Sequence, residues 1–246
     1  ETIRAVEPDV VCLQEVWSDD SGADDADTLA DEFGMYVART DPVFWNGQSF
    51  GNAVLARWPL ERIADERLPR ADGELGHRRI VTARIRTPWG PWPVASTHLD
   101  HRFDASADRT AQLRRIAGSA IGWRGVADTD LPLLLGADLN ALPDSDEVRM
   151  LTGRSPGVAG IVFSDAWEQS ADDEIDPTGA TWLRANPASR DSAWPDRRID
   201  YVLVSWPRPK PIGNPIRTWT VGRPSHDDDV WPSDHLAVVA DLATPD

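Results

Sequence analysis

Seven apolar runs of strand length, at 9–13, 51–57, 79–86, 92–98, 131–137, 199–204 and 234–242, constrain this 246-residue chain more than any other feature. Pro, Gly or Asp closes most of them, as expected of strands that end in turns. Helical spacing of apolar residues is confined to 25–33 (DADTLADEF), 107–121 (ADRTAQLRRIAGSAI) and, weakly, 144–152. Many strands with few helices between them predict a layered α/β sandwich formed as one domain over 1–246. No repeat or Gly/Ser linker divides the chain, and 170–198 and 226–230 (HDDDV) are expected to be long loops. A hydrophobic share of 41% with 12 Trp is enough for a sizeable core, which sets disorder aside.

No apolar run approaches the ~20 residues that a membrane helix needs. No secretory h-region opens the chain either, which favours the cytoplasm. Cys12 is the single cysteine, so no disulfide forms within the chain; inside the apolar VVCLQEV it is expected to be a buried, inert thiol. The net charge is −16, with one lysine, Lys210. That balance counts against general coating of DNA, which rests on Lys and Arg neutralising phosphates. It is compatible with a groove of carboxylates that hold a cation.

The chemistry collects at the ends of the runs. Run 9–13 leads into Gln14 and Glu15, run 92–98 ends at His98, and run 131–137 gives way to Asp138 and Asn140. Asp200 opens the strand in RRIDYVLVS, and Asp234 and His235 open the last one in SDHLAV. One polar strand end is ordinary turn chemistry. Five strands that place acids, amides or histidines at an edge point to a shared crevice.

The ordered set LQE (13–15), STHL (96–99), GADLN (136–140), RIDYVLVS (198–205) and SDHLAV (233–238) resembles the motifs of the endonuclease/exonuclease/phosphatase superfamily, and GNAVLARWPL (51–60) resembles a further strand of it. Deoxyribonuclease, abasic-site endonucleases, neutral sphingomyelinases and inositol-polyphosphate phosphatases share that fold. The resemblance spans 9–240 and implies a four-layered α/β/β/α sandwich of two mixed sheets. It also implies a metal-dependent phosphoesterase, using Mg²⁺ or alternatively Mn²⁺.

By resemblance, Glu15 is the principal metal ligand, and Asp234 turns toward the metal directly or through water. Hard oxygen ligands suit Mg²⁺, which takes one or two carboxylates and keeps its waters. Asp138 is expected to polarise the attacking water and Asn140 to hold the phosphate or that water. The rival reading of ADLN is an Asx-turn. His235 is expected to face the scissile phosphate with Asp200 orienting its ring, and His98 to bond a phosphate oxygen or act near the leaving group.

Four further residues are candidates for touching substrate: His77, His101, Arg102 and Arg109. Arg109 and Gln112 lie three apart on one helix face and also fit helix–loop hydrogen bonding. His77 stands where related enzymes often carry an acid that partners the first histidine, so Glu74 is the candidate substitute. Family members also carry an upstream strand bearing an Asn. The chain opens beyond it, so an N-terminal truncation is expected, with a strand-wide gap between 9–15 and 234–242. That truncation also leaves secretion open.

The expected reaction is in-line hydrolysis of a phosphate ester, most readily a phosphodiester on a small molecule or lipid head group, by a monomer. Nucleic acid is the alternative substrate, and a binding protein that kept the fold without catalysis is the rival class. The Trp-rich loops TPWGPW (87–92) and DSAWPD (191–196) are expected to pack at a rim, stack on a base or dip into lipid.

Overall fold

The computed structural model describes every residue except 19–23, 46–47, 127–129, 173–177, 207–211, 225–229 and 245–246. The acidic loop expected at 226–230 therefore falls almost wholly outside the described residues.

A six-stranded mixed sheet forms the centre, in the order β5 (Leu60–Pro69), β6 (Leu75–Thr87), β7 (Gly90–His98), β8 (Leu134–Asp138), β10 (Asp200–Trp206) and β9 (Val162–Asp165). Only β7 and β8 run parallel. A parallel pair needs a crossover connection, and α3 (Ser106–Trp123) supplies it. Alternation along the strands sends Val81, Ala83, Ile85 and Val94 to one face and Ile80, Ala95, Leu135, Ala137 and Leu203 to the other. Helices α3 and α4 (Asp146–Leu151) cover the second face through Leu113, Ile116, Val148 and Leu151.

The first face packs on an antiparallel sheet of β1 (Val10–Ser18), β4 (Gln48–Ala56) and β2 (Tyr36–Arg39), with β3 (Val43–Trp45) also paired to β4. Val10, Cys12, Ala38, Val54 and Ala56 fill the space between the sheets. Helix α2 (Asp25–Phe33) closes the outside over Val16, Ala53 and Leu55. Its start is set by Asp24, whose carboxylate accepts the Asp27 N–H, and its end by Gly34 at φ 63°. The four layers are therefore helix, sheet, sheet, helix. Burial pushes the Cys12 thiol up to about 12, so it stays protonated at neutral pH.

The second layer is built in two pieces. Strands β11 (Pro215–Val221) and β12 (Ala237–Leu242) form an antiparallel pair of their own, with α5 (Ala166–Ser170) against β11. Strand β1 pairs with β4 and β12 with β11, and neither is hydrogen-bonded to the other. The short helix α1 (Thr2–Val6) precedes β1. Among the described residues no helix is long and apolar enough to cross a membrane.

Candidate active site

Three strand ends line up in register. His98 closes β7 and pairs with Asp138, which closes β8, and Asp138 pairs in turn with Asp200, which opens β10. Side chains in one row of a sheet share a face. Here it is the face toward the first sheet, because Val94 and Gly136, at the same parity, meet that sheet. Gly136 is needed for the sheets to approach this closely: a Cβ there would sit 2.4 Å from that of Cys12.

Glu15 comes from the opposite sheet by way of a β-bulge. The pairing of β1 with β4 slips between Leu13 and Val16, and Glu15 adopts φ 52°. An extra residue in one strand re-aims its side chains. Regular alternation would send Glu15 out toward α2, whereas the bulge brings its Oε1 to 3.7 Å from His98 Nδ1. Next to it, Gln14 Nε2 donates to Ser96 Oγ at 2.9 Å, tying the two sheets beneath the cleft.

The turn after β8 serves both structure and site. Asn140 N–H donates to Asp138 Oδ1 at 2.8 Å, which is an Asx-turn, with Asn140 at φ 50°. The Asn140 amide Nδ2 lies 2.9 Å from His98 Nε2 and 3.3 Å from both Leu99 O and Asp138 Oδ2. Its hydrogens are thus used inside the cluster. With Nδ2 donating, His98 Nε2 accepts and its proton sits on Nδ1. Among the described residues that buried Nδ1 has no hydrogen-bond partner. Burial, followed by the charges of Arg78, His235 and His101, holds His98 well below the ordinary histidine range, so it is neutral.

His235 reaches the row from before β12. Trp182 bridges to both His235 and Arg197, and Leu236 N–H donates to Thr181 O at 2.7 Å. His235 Nδ1 lies 2.8 Å from Asp200 Oδ2. Burial alone would lower its pKa, but Asp200, Asp138 and Asp234 outweigh burial and raise it to about 10. His235 is therefore an imidazolium at neutral pH. The Asp138 carboxyl is raised as well: burial, then the Asp200 charge, take it to about 7. Asp234 stays at the mouth, 53% exposed, with Oδ2 4.0 Å from His235 Nε2.

Of the four remaining candidates, His101 is near enough for its charge to bear on His98, and the other three stand further off. His77 is exposed, and none of the described contacts joins it to His98. Glu74 sits in the exposed β5–β6 turn, so it does not replace the missing acid; Asn140 and Glu15 flank the His98 ring instead. Arg109 makes packing contacts of the helix–loop kind. Its Nε donates to buried Glu147 at 2.7 Å and its Nη1 to the carbonyls of Asp100 and Arg102, which occupies those donors. Arg102 pairs at the surface with Asp100 and Asp108. His101 Nδ1 lies 3.0 Å from Arg78 Nη2.

Arg78 is a site residue that the sequence reading passed over. It is half-buried, close enough to Asp100, Asp138 and Glu15 to feel each carboxylate, and it presses on the His98 pKa. Thr181 is another. Its buried Oγ1 accepts the N–H of Ile199 at 3.3 Å and of Asp200 at 3.2 Å, while its carbonyl takes Leu236 N–H. It thus holds Asp200 and His235 to one another through the backbone. Thr181→Val keeps the shape but strands two buried donors. Its stability should fall by ~1–3 kcal/mol in chemical denaturation, and Thr181→Ser should recover most of the loss. An unchanged midpoint for Thr181→Val would show that the strap carries no load.

Acids and imidazoles converging from both sheets at the ends of their strands equip the cleft for hydrolysis of a phosphate ester. The chain belongs to the Endonuclease/Exonuclease/phosphatase family, whose sequence profile matches residues 1–235. It is a hydrolase of the metal-dependent phosphoesterase class, acting on ester bonds. Solved structures with the same fold include the human Nocturnin catalytic domain with bound sulfate anion, at 23% identity and TM-score 0.70, covering 99% of this chain and 83% of that one. D. rerio TDP2 complexed with single strand DNA product is 19% identical, with TM-score 0.71 over 98% of this chain and 88% of that one. An endonuclease/exonuclease/phosphatase from Bacteroides vulgatus is 17% identical, with TM-score 0.70 over 99% and 87%. No curated protein sequence matches the chain.

Proposed function

We propose that the cleft hydrolyses phosphodiesters by attack of an Asp138-activated water, with a divalent cation, Mg²⁺ or Mn²⁺, at Glu15. The observation that carries this reading is the single row His98–Asp138–Asp200, with His235 bonded to one end and Glu15 facing the other. An Asp138 pKa of about 7 suits a general base at neutral pH. Charged His235, held by Asp200, is placed to stabilise charge developing on the phosphoryl or leaving oxygen. Neutral His98 donates its unpartnered Nδ1–H, and Asn140 acts as a positioning residue for His98 and Asp138.

The residues present fit a hard cation. Glu15, Asp138, Asp200 and Asp234 gather beside the positive groups His235, Arg78 and Arg197, and the Asp138 pKa is raised first by burial and then by the Asp200 charge. Asp138, Asp200 and His235 also bring ligand atoms within 4.8 Å of one another. The His235–Asp200 hydrogen bond already uses two of those atoms, and imidazolium repels a cation. Half-exposed Glu15, with Asp234 at the mouth, is therefore the better seat. When bound, the cation neutralises phosphoryl charge.

Chelation with EDTA should abolish hydrolysis of bis(4-nitrophenyl) phosphate, and Mg²⁺ or Mn²⁺ should restore it. Glu15→Gln should raise the metal concentration for half-maximal rate. Turnover that persists in excess chelator would remove the cation from this account.

A further inference from the structure

Two aromatic rings stand at the rim of the cleft, stacked on each other and open to water. Phe103, five residues past His98, and Trp194 have ring centroids 4.2 Å apart at 23°, yet remain 55% and 45% exposed. Nothing in the core requires this pair, because neither ring belongs to a buried cluster. The two rings come from segments 91 positions apart. Single exposed aromatics are ordinary on a protein surface, but a stacked pair beside a reaction centre is a surface made for a planar group.

The pair is fixed to the site from two directions. Arg197 lies over the Phe103 ring at 5.1 Å and donates from Nη2 to Asn140 O at 3.4 Å, so one guanidinium spans stack and catalytic turn. Trp194 belongs to the excursion between Trp182 and Arg197, and Trp182 bridges to His235. Asn186, in the same excursion, donates from Nδ2 to Ser233 O at 2.8 Å, two residues before His235. Phe103 already has Trp194 and Arg197 as partners, whereas Trp194 stacks on Phe103 alone among the described ring contacts. The excursion also lines an open pocket of about 470 Å³ with Arg184, Arg190 and Asp196.

We propose that Phe103 and Trp194 form a stacking subsite for an unpaired nucleobase carried on the phosphate ester that the cleft cleaves. This rests on the phosphodiesterase reading above and narrows its substrate to nucleotide esters with an accessible base. A paired base in a duplex offers its face to its neighbours, so the subsite selects against duplex. Stacking tolerates any base, because every base has a π-face, and it is lost when the aromatic platform becomes alanine.

Calorimetric titration with AMP and with ribose 5-phosphate, in the presence of Mg²⁺, isolates the base, since the two probes share sugar and phosphate. AMP should bind about 5- to 150-fold more tightly than ribose 5-phosphate. Trp194→Ala should erase that difference and leave ribose 5-phosphate unchanged, while Trp194→Phe should keep most of it. Both rings are exposed, so the substitutions do not threaten the core. Equal affinities in the unaltered protein, no binding of either probe, or an AMP advantage that survives both Trp194→Ala and Phe103→Ala would overturn the proposal. The readout needs no turnover. An inactive protein that prefers AMP would defeat the hydrolytic reading and keep the subsite, and an active one with no preference would do the reverse.

Discussion

His235→Ala is expected to lower kcat by ~10²–10³-fold while leaving KM nearly unchanged. The reason is where the charge sits. Asp200 Oδ2, 2.8 Å from Nδ1, together with Asp138 and Asp234, keeps the ring protonated to about pH 10 despite its burial. A permanent cation beside the reacting phosphate contributes most when negative charge develops in the transition state. Alanine removes that cation and leaves Asp200 facing Asp138 with nothing between them, which pushes the remaining base further from ionisation. The backbone should hold, because Leu236 N–H stays bonded to Thr181 O. A variant with raised KM and unchanged kcat would mean that His235 only anchors substrate.

Asp138→Asn should cost ~10²–10⁴-fold in kcat, the range for loss of a general base, and should change the pH profile as well as its height. In the unaltered enzyme, rate should rise as pH passes about 7, where Asp138 loses its proton, and fall near 10, where His235 loses its own. The signs follow from the directions. A raised carboxyl pKa delays formation of the base as pH rises, and a raised imidazole pKa delays loss of the cation. The two groups interact, so both limbs belong to the Asp138–Asp200–His235 cluster rather than to single residues. Metal at Glu15 would draw the acid limb lower. Asp138→Asn should remove the acid limb from its residual rate, and Asp200→Asn should bring the alkaline limb to lower pH by taking away the main charge that raises His235. An alkaline limb unmoved by Asp200→Asn would contradict the pairing.

Much of this was legible because sheet chemistry is periodic and strand ends are few. His98, Asp138 and Asp200 each stand at the end of an apolar run, so their alignment follows once β7, β8 and β10 are neighbours. Helix α2 was legible to the residue through the apolar spacing of DADTLADEF, and the Asp24 cap and Gly34 fix its ends. The weak helical pattern at 144–152 became α4. What stayed hidden depends on register or long-range pairing. Strand β5 (LERIADERLP) lies at a sheet edge with charges outward, so no apolar run announces it. Strand β9 has four residues and β11 opens with Pro215, and both fall below any pattern threshold.

The site shows the same division. Glu15 is visible as an acid after a strand, but its bulge is not, since LQEVW carries no glycine to mark a positive φ. In GHRRIV the histidine is the more conspicuous residue, yet His77 is exposed, whereas Arg78 is half-buried and within reach of the Asp138 and Glu15 carboxylates. Thr181 sits in a stretch expected to be loop, and its role exists only once Asp200 and His235 are brought together. At Asp138 and Asn140 an Asx-turn and a catalytic role are compatible rather than exclusive. The turn is present, and it is what aims Asn140 Nδ2 at His98.

Hydrolysis of bis(4-nitrophenyl) phosphate in ¹⁸O-labelled water with Mg²⁺ tests the central claim most directly, because it reports both turnover and the bond that breaks. The account requires one solvent oxygen in the 4-nitrophenyl phosphate product, none in the released 4-nitrophenol, and loss of that labelling rate in the Asp138→Asn, His235→Ala double variant. Absence of turnover, label in the phenol, or a rate indifferent to the double substitution would contradict it.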